Sequence, residues 1–183
     1  QTVIGSLTEP AASALGLPRA TPVIAGGEDT SSAGLALGTV AHGQAFLSLG
    51  TAGTVYVTHE QVVSDPDLVT FLYVLPGLSL IGGSMVASGA ALDWCRQLLH
   101  ADLSLDQLTE IAATADAGSG GVVFLPYLSG EAQPINDGLA RGVFFGLSFN
   151  TGTAQLVRAA MEGVAYAIEH NLLAARRRGV QVD

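Results

Sequence analysis

The sequence has few charged side chains, and cations are especially rare. Of its 183 residues 13% are charged, with seven Lys and Arg side chains against sixteen Asp and Glu, and the formal net charge is −9. Binding to nucleic acid requires clustered Lys and Arg, so nucleic acid is excluded as the main partner. The one basic run, Arg176-Arg177-Arg178, stands just before Gly179. We interpret it as the last turn of a helix, where cations complement the helix dipole.

Cysteine is almost absent, because Cys95 is the only one in the chain. A disulfide framework and a thiolate metal cluster are therefore excluded within this sequence, and a reducing cytoplasm is the expected setting. The histidines lack the spacing typical of metal ligands, so no metal site is expected. They are His42, His59, His100 and His170.

Long hydrophobic runs are also missing, although 49% of the residues are apolar and the mean hydropathy is +0.44. No stretch of about 18 apolar residues is uninterrupted, so no membrane span is expected. The opening QTVIGSLTEP lacks the basic segment and apolar core of a signal peptide. It also lacks an initiator Met, which leads us to expect a fragment of a longer protein.

The patterns that are present mix strands with helices and predict an α/β fold. The clearest hairpin runs from Ala45–Leu49, through a Gly-Thr-Ala-Gly turn, to Thr54–Thr58. Before it, a short strand leads into a helix that ends at Gly38. Because a helix ends there and a new hairpin begins, we divide the chain into residues 1–43 and residues 44–183.

Asp29 is the first candidate for chemistry. It follows a predicted strand and two glycines, and a carboxylate at the end of a strand is well placed to act as a general base. The alternative is that Asp29 caps the following helix, alone or with Thr30 or Ser31. The residues leave both interpretations open, and they suggest no role for Glu28.

Glycines form the second candidate set. In the turn from Gly50 to Gly53, backbone N–H groups can converge on an anion, with the Thr51 hydroxyl as a further donor. An ordinary hairpin turn is the alternative.

Gly89 is the third candidate. It lies near a predicted helix start, where a glycine would let a flat ligand approach the backbone, with Asp93 one turn later. Close helix packing explains Gly89 equally well. No Walker-type phosphate loop is present, so a nucleotide would need another architecture.

Taken in order, these motifs resemble the FGGY family of carbohydrate kinases, and most closely its xylulokinase-like branch. The resemblance covers nearly the whole chain. It is carried by VIAGGED with SLGTAG a short distance on, GGSMVASGAALDW, FLPYLSGE, NDGLARGVFFGLS, and the run Gly142–Glu162.

The resemblance implies a partial actin-like ATPase fold of the ribonuclease-H-like type. Residues 1–43 would be the tail of the sugar-binding domain, and residues 44–183 would be the first part of the nucleotide-binding domain. A sugar and ATP would be the small-molecule partners, and Mg²⁺ would offset phosphate charge. A homodimer is left open.

The resemblance also implies roles for the candidate residues. Asp29 would take the proton from the attacking sugar hydroxyl, and Thr30 would lie beside it in the sugar site. The set expected around the nucleotide is Gly50, Thr51 and Gly53 at the phosphates, and Gly89 and Asp93 beside the nucleoside.

The chain departs from the family pattern in ways that bear on the substrate. The Asp-x-Gly-Thr phosphate hairpin, most of the sugar-binding part and the late glycine-rich adenosine motif are not found in it. Thr30 stands where many relatives carry an amide, and Ala132-Gln133 stands where Arg-Thr is common. The expected activity is phosphorylation of a sugar such as D-xylulose by the whole protein, with this chain inactive alone. A kinase for another polyol, ketose or aldonate, and a non-catalytic actin-like nucleotide-binding module, are the alternatives.

Overall fold

The structure is a computed structural model that describes residues 2–99 and 102–182, so His100 lies outside the described residues. The first part of the chain forms β1 Val3–Ser6, α1 Glu9–Leu15, β2 Pro22–Ile24 and α2 Asp29–Ala36. The remainder forms β3 Ala45–Leu49, β4 Gly53–His59, β5 Val69–Leu72, β6 Ser79–Met85, α3 Gly89–Leu98, α4 Leu105–Ala113, β7 Val123–Leu125, β8 Val143–Phe145 and α5 Thr153–Arg177, with a short 3-10 turn at Ser119–Gly121. The α/β class predicted from the sequence is confirmed.

The main sheet contains four antiparallel strands in the order β3-β4-β6-β5. The predicted hairpin is confirmed, with Ala45 opposite Val57 and Leu49 opposite Gly53. Gly53 therefore belongs to β4, and the turn comprises only residues 50–52, one residue fewer than predicted. The turn is short because the β3-β4 hydrogen-bond ladder continues up to the pair Leu49 and Gly53.

Helix α5 covers one face of this sheet and carries much of the core. Cys95, Phe124 and Ala160 are buried together in the largest apolar cluster. A Cβ atom on Gly163 of α5 would lie 2.3 Å from the carbonyl oxygen of Phe124, so only glycine permits this approach of helix to strand. No helix within the described ranges is long and apolar enough to cross a membrane.

The helix ends follow the sequence signals. Ser104 and Gln107 form the predicted capping box at the start of α4. Arg176 and Arg177 lie in the last turn of α5, as the basic run predicted. Arg178, the third arginine of the run, is the capping residue that follows the helix.

Strands β1 and β2 form one two-stranded antiparallel sheet. Strands β7 and β8 form a separate antiparallel ribbon. Both are shorter than the apolar runs in which they lie. β7 ends at Leu125 because Pro126 has no N–H to donate to a ladder. β8 ends at Phe145 because the next residue, Gly146, has a φ of 81°, which is not a strand conformation.

Helix α2, which opens with Asp29, is held against the main sheet. A Cβ on Gly34 would lie 2.7 Å from the ring of Phe46 in β3, so this helix packs directly on the strand. Just beyond the helix, the buried hydroxyl of Tyr73 donates to the carbonyl oxygen of Thr39 at 2.8 Å. These contacts hold the second half of α2 beside the sheet, and Asp29 lies at the other end of the same helix.

Candidate active site

The amino end of α2 is capped by Glu28. Glu28 Oε1 accepts the N–H of Ser31 at 2.7 Å, and Oε2 accepts the N–H of Thr30 at 2.9 Å. Glu28 has the extended backbone of a capping residue, with φ −73° and ψ 171°. The interpretation of Asp29 as the helix cap is therefore wrong. Asp29 is the first residue inside the helix, and Glu28, which the sequence left without a role, has the capping role.

The same hydrogen bonds set the ionisation of Glu28. Partial burial pulls the pKa of this carboxyl upward, but the hydrogen bonds from Ser31 and Thr30 outweigh it, and the pKa is lowered from its ordinary value. Glu28 is therefore a carboxylate at neutral pH. A fixed negative charge at the helix start also complements the helix dipole.

Asp29 lies exposed at the edge of a recess of about 280 Å³. Its Oδ1 accepts the N–H of Thr30 at 2.8 Å. No partner of its Oδ2 is found among residues 2–99 and 102–182, so this oxygen can accept a ligand's hydroxyl. The recess is lined by Asp29, Thr30, Ala33, Phe46, Ser48 and Thr54. The structure thus brings the two predicted sugar-site residues together with one face of the β3-β4 hairpin.

The tip of that hairpin is bonded to the start of α3. Gly89 N–H donates to the carbonyl oxygen of Gly50 at 2.8 Å, and the Thr51 carbonyl accepts the N–H groups of Ser88 at 3.0 Å and Ala90 at 3.2 Å. A Cβ on Gly89 would lie 2.7 Å from the Gly50 oxygen, so glycine is required for this contact. The hairpin tip and the start of α3 are therefore held together by backbone hydrogen bonds.

Two backbone N–H groups at the hairpin tip are left to bind a ligand. Within the described ranges, no acceptor is found for the backbone N–H of Thr51 or of Ala52. Adjacent N–H groups without an acceptor are the donors from which backbone anion sites are built. The hydroxyl of Thr51 lies on the same turn, so the tip offers a small set of donors to a phosphate.

A second recess, of about 580 Å³, opens between the tip and α3. It is lined by Leu49, Gly50, Thr51, Gly89, Ala90, Asp93, Trp94, Gln97 and Leu105. The structure thus brings together four of the five residues that the sequence placed around a nucleotide. Gly53 is not among them: it is buried, and a Cβ there would lie 2.8 Å from Cγ of Met85.

Asp93 lines the recess, and both of its carboxylate oxygens accept hydrogen bonds from neighbouring side chains. Its Oδ1 accepts Nε and Nη2 of Arg96 at 3.0 and 2.6 Å, and its Oδ2 accepts Nε2 of Gln97 at 3.2 Å. The carboxylate is therefore held in place, and its charge is balanced on the same helix face.

Sequence reasoning missed several lining residues. Trp94 has its ring stacked on Phe124 at a centroid distance of 5.9 Å and an interplanar angle of 13°. Gln97 lies one turn beyond Asp93. Their spacing from Ala90 is that of one helix face, which is a signal that could have identified them.

Both recesses border the end of β3, because Ser48 lines the first and its neighbour Leu49 lines the second. A ligand in one and a ligand in the other would thus approach the same hairpin from two sides. Within the described residues there is no group of three or more His, Cys, Asp or Glu side chains that could hold a metal ion.

Comparison with known proteins gives a consistent match. The FGGY family of carbohydrate kinases, C-terminal domain, matches residues 45–183. The xylulose kinase of Klebsiella pneumoniae is 39% identical over 168 residues, which are 91% of this chain and 34% of that protein. The structure of xylulose kinase from Rhodospirillum rubrum has a TM-score of 0.92 at 36% identity, over 99% of this chain and 37% of that one. The structure of gluconate kinase from Lactobacillus acidophilus has a TM-score of 0.89 at 28% identity. The match covers 99% of this chain and 37% of that one.

These matches confirm the predicted fold, since the structural neighbours are sugar kinases with an actin-like ATPase fold. The chain spans only about a third of the length of these relatives.

Proposed function

The chain belongs to the FGGY family of carbohydrate kinases, and on that premise we propose that the whole protein transfers the γ-phosphoryl group of ATP to a sugar hydroxyl. The observation that carries the proposal is the pair of recesses at the end of β3. One holds Asp29 and the other holds the hairpin tip with its two N–H donors. Phosphoryl transfer needs an acceptor and a donor brought into line more than it needs covalent chemistry, and this arrangement would provide that.

Asp29 is the proposed general base. Its Oδ2 would accept the hydrogen of the sugar hydroxyl, and its carboxylate would take the proton as that oxygen attacks the γ-phosphorus. The new O–P bond forms while the bond from the γ-phosphorus to the bridging oxygen breaks, and ADP leaves. Glu28 supports this role because it caps α2, so Asp29 is left free for the substrate.

The hairpin tip and the start of α3 form the proposed nucleotide side. The N–H groups of Thr51 and Ala52 would donate to phosphate oxygens, with Gly50 and Gly89 allowing close approach. Asp93 would lie beside the nucleoside as part of its network with Arg96 and Gln97, and Gly53 would support the tip from beneath by packing on Met85.

Magnesium accompanies ATP in enzymatic phosphoryl transfer, where it neutralises charge on the phosphates. The described residues do not offer a carboxylate cluster for the ion. No ligand for Mg²⁺ is therefore assigned among the described residues.

D-xylulose or a related ketose is the first candidate substrate, because xylulose kinases are among the most similar relatives and structures. An aldonate is the second, because the gluconate kinase structure is nearly as similar, with a TM-score of 0.89. Thr30 bears on the choice, since it lies in the recess with Asp29 and presents a hydroxyl and a methyl group instead of an amide.

We propose a cytoplasmic setting, because Cys95 is the only cysteine of the sequence and leaves no disulfide framework. Cys95 is buried, and this burial raises the pKa of its thiol to about 11. A thiol kept protonated reacts slowly, so this cysteine has no expected role in catalysis or in disulfides.

The test is an assay of the full-length protein with ATP and Mg²⁺ against D-xylulose, D-ribulose, glycerol and gluconate, following ADP release. We expect turnover with at least one of them and the highest kcat/KM with a ketose. Highest kcat/KM with gluconate would transfer the assignment to an aldonate kinase. Nucleotide binding without turnover on any sugar would support the non-catalytic module and overturn the proposal.

A further inference from the structure

Strand β6 loses one of its two neighbouring strands before it ends. β5 pairs with it only from Ser79 to Gly82, whereas β4 pairs with it as far as Met85. The free edge beyond Gly82 needs other hydrogen-bond partners, because unpaired backbone groups inside a protein are costly. Just beyond this edge the chain turns into α3, whose first residue, Gly89, contacts the hairpin tip.

The loop of residues 131–133 supplies these partners. The N–H of Gln133 donates to the carbonyl oxygen of Ser84 at 3.1 Å, and the N–H of Ser84 donates to Oε1 of Gln133 at 3.2 Å. Two residues further along, the N–H of Val86 donates to Oε1 of Glu131 at 2.9 Å. A strand presents alternate N–H groups to the same side, so these two side-chain oxygens replace the carbonyl groups of a neighbouring strand.

Glu131 is a buried carboxyl group whose hydrogen bonds in the described part of the chain all come from backbone N–H groups. The residue is 5% exposed, and its Oε1 also accepts the N–H of Ala132 at 2.7 Å. No Lys, Arg or His side chain within residues 2–99 and 102–182 forms an ion pair with it. Burial raises its pKa, and the two N–H donors offset only part of that effect. A buried carboxyl group without a cation costs stability, so an apolar side chain would serve simple packing better. The distinctive contribution of Glu131 is therefore the position of Val86.

The backbone of Glu131 is held independently of β6. Its N–H donates to the carbonyl oxygen of Asp137 at 2.9 Å, and the N–H of Asp137 donates to the carbonyl oxygen of Glu131 at 3.0 Å. The preceding residue, Gly130, has a φ of 87°, and a Cβ atom there would lie 2.8 Å from Cα of Gly138. Only glycine permits this closure of the loop. The Glu131 carboxyl group therefore reaches Val86 from a fixed backbone.

Val86 connects Glu131 to the hairpin tip. A single residue separates Val86 from residues 88–90, whose N–H groups donate to the carbonyl oxygens of Gly50 and Thr51 at 2.8 to 3.2 Å. So short a segment cannot absorb a displacement of Val86. Such a displacement would move the donors that hold the tip, and with them the N–H groups proposed to bind phosphate.

We propose that Glu131 is a positioning residue for the nucleotide. By accepting the N–H of Val86 it fixes the turn between β6 and α3, and through that turn it fixes the phosphate donors at the hairpin tip. Glu131 is not among the residues that line the recess, so it acts through the backbone and not by contact with ATP. This inference rests on the proposed function, which makes ATP the ligand of the recess. The alternative is that Glu131 only closes the edge of the sheet and contributes stability.

The first test compares Glu131→Ala with Glu131→Gln in the full-length protein. The alanine variant removes the acceptor of the Val86 N–H, so the KM for ATP should rise at least about tenfold while kcat changes by less than about twofold. The glutamine variant keeps an acceptor oxygen and should stay close to the wild-type KM. A wild-type KM for ATP in folded Glu131→Ala, or an equal rise in Glu131→Gln, would overturn the proposal.

Glu162→Ala is the matched control. Glu162 is also a carboxylate that accepts a backbone N–H, from Gly118 at 3.0 Å, but it does not line the recess. Its loss should lower the free energy of unfolding without raising the KM for ATP. A rise as large as that in Glu131→Ala would show that the effect on ATP follows from lower stability alone, and the positioning role would be wrong.

Amide hydrogen exchange tests the same connection without any catalytic activity. In Glu131→Ala the N–H groups of residues 88–90 should exchange at least about tenfold faster than in wild type, and in Glu131→Gln and Glu162→Ala they should not. Glu131→Asp, which withdraws the carboxylate by one methylene group, takes the place of Glu131→Ala if that variant does not fold. Unchanged exchange in folded Glu131→Ala or Glu131→Asp would contradict the positioning role, whereas a wild-type protein that turns over no sugar would overturn only the proposed function.

Discussion

Glu28 and Asp29 are neighbours with separate roles at the start of α2. The Glu28 carboxylate accepts the N–H groups of Ser31 and Thr30 at 2.7 and 2.9 Å, while Asp29 lies in the recess formed with the β3-β4 hairpin. The helix is therefore capped without the residue proposed for catalysis. This division allows stability and activity to be changed independently.

Glu28→Ala should lower the free energy of unfolding by about 1 kcal/mol, the usual cost of a lost helix cap. Because the chain then loses two hydrogen bonds at the start of α2, the position of Asp29 should also become less fixed, and kcat should fall moderately. Chemical denaturation checks the first effect. Asp29→Ala is the control and should leave the unfolding free energy nearly unchanged; an equal loss in both variants would show that Glu28 is not the cap.

Glu162 should make stability depend on pH. Burial pulls its pKa upward, but hydrogen bonds from Gly118 N–H, the Ser119 hydroxyl and Arg158 lower the pKa below its ordinary value. A depressed carboxyl pKa stabilises the fold above the unfolded-state pKa, and this contribution is lost as pH falls through the folded-state pKa.

Glu162→Gln should therefore cost about 1.5–3 kcal/mol at pH 7, the range for hydrogen bonds to a charged group. The difference from wild type should shrink at a pH well below the ordinary Glu pKa of about 4.3, because the charge of Glu162 is lost as pH falls through its lowered folded-state pKa. Urea denaturation at both pH values measures this. Glu110→Gln, at an exposed position on α4, is the control; a difference for Glu162→Gln that stays constant with pH would contradict the assigned charge.

Gly89→Ala should weaken nucleotide binding. A Cβ at this position would lie 2.7 Å from the Gly50 oxygen, so the hairpin tip and the start of α3 must separate. We expect the KM for ATP to rise at least about tenfold, equivalent to about 1.4 kcal/mol. Gly5→Ala is the control, since a Cβ on Gly5 meets no atom within 4 Å. Unchanged ATP affinity in Gly89→Ala would argue against a nucleotide at this recess.

Arg96→Gln should affect ATP binding without affecting the fold. It removes the cation that balances Asp93 and leaves an unmatched carboxylate in the recess where phosphates are expected. The KM for ATP should rise several-fold with kcat little changed. The free energy of unfolding should change by less than about 0.5 kcal/mol. Arg19→Gln, far along the chain from this recess, serves for comparison. A fall in kcat at constant KM for ATP would contradict the assignment of Asp93 to the nucleotide-binding recess.

Local signals predicted much of the fold. The β3-β4 hairpin follows from alternating apolar residues around a glycine turn, and the capping box of α4 follows from Ser104 and Gln107. Glu28 was missed because Glu is not a preferred capping residue. β7 and β8 were predicted too long because an apolar run does not show where a ladder ends.

The candidate site was harder to predict because its residues are distant in sequence. Ser48 and Thr54 become neighbours of Asp29 only when α2 packs on the sheet, and no local pattern shows this packing. Trp94 and Gln97 lie on one helix face with Asp93, but helical spacing alone is also typical of an ordinary buried face. Only the position of the hairpin tip shows that this face borders a recess.

The most direct test of the central claim is the kcat of Asp29→Asn in the full-length protein with its best sugar, ATP and Mg²⁺. The substitution keeps the size of the side chain and removes its basicity. We predict a loss of about 10²–10⁴-fold in kcat, with the unfolding free energy and the ATP affinity close to wild type. An Asp29→Asn variant that retains most of the wild-type kcat would contradict the assignment of Asp29 as the base.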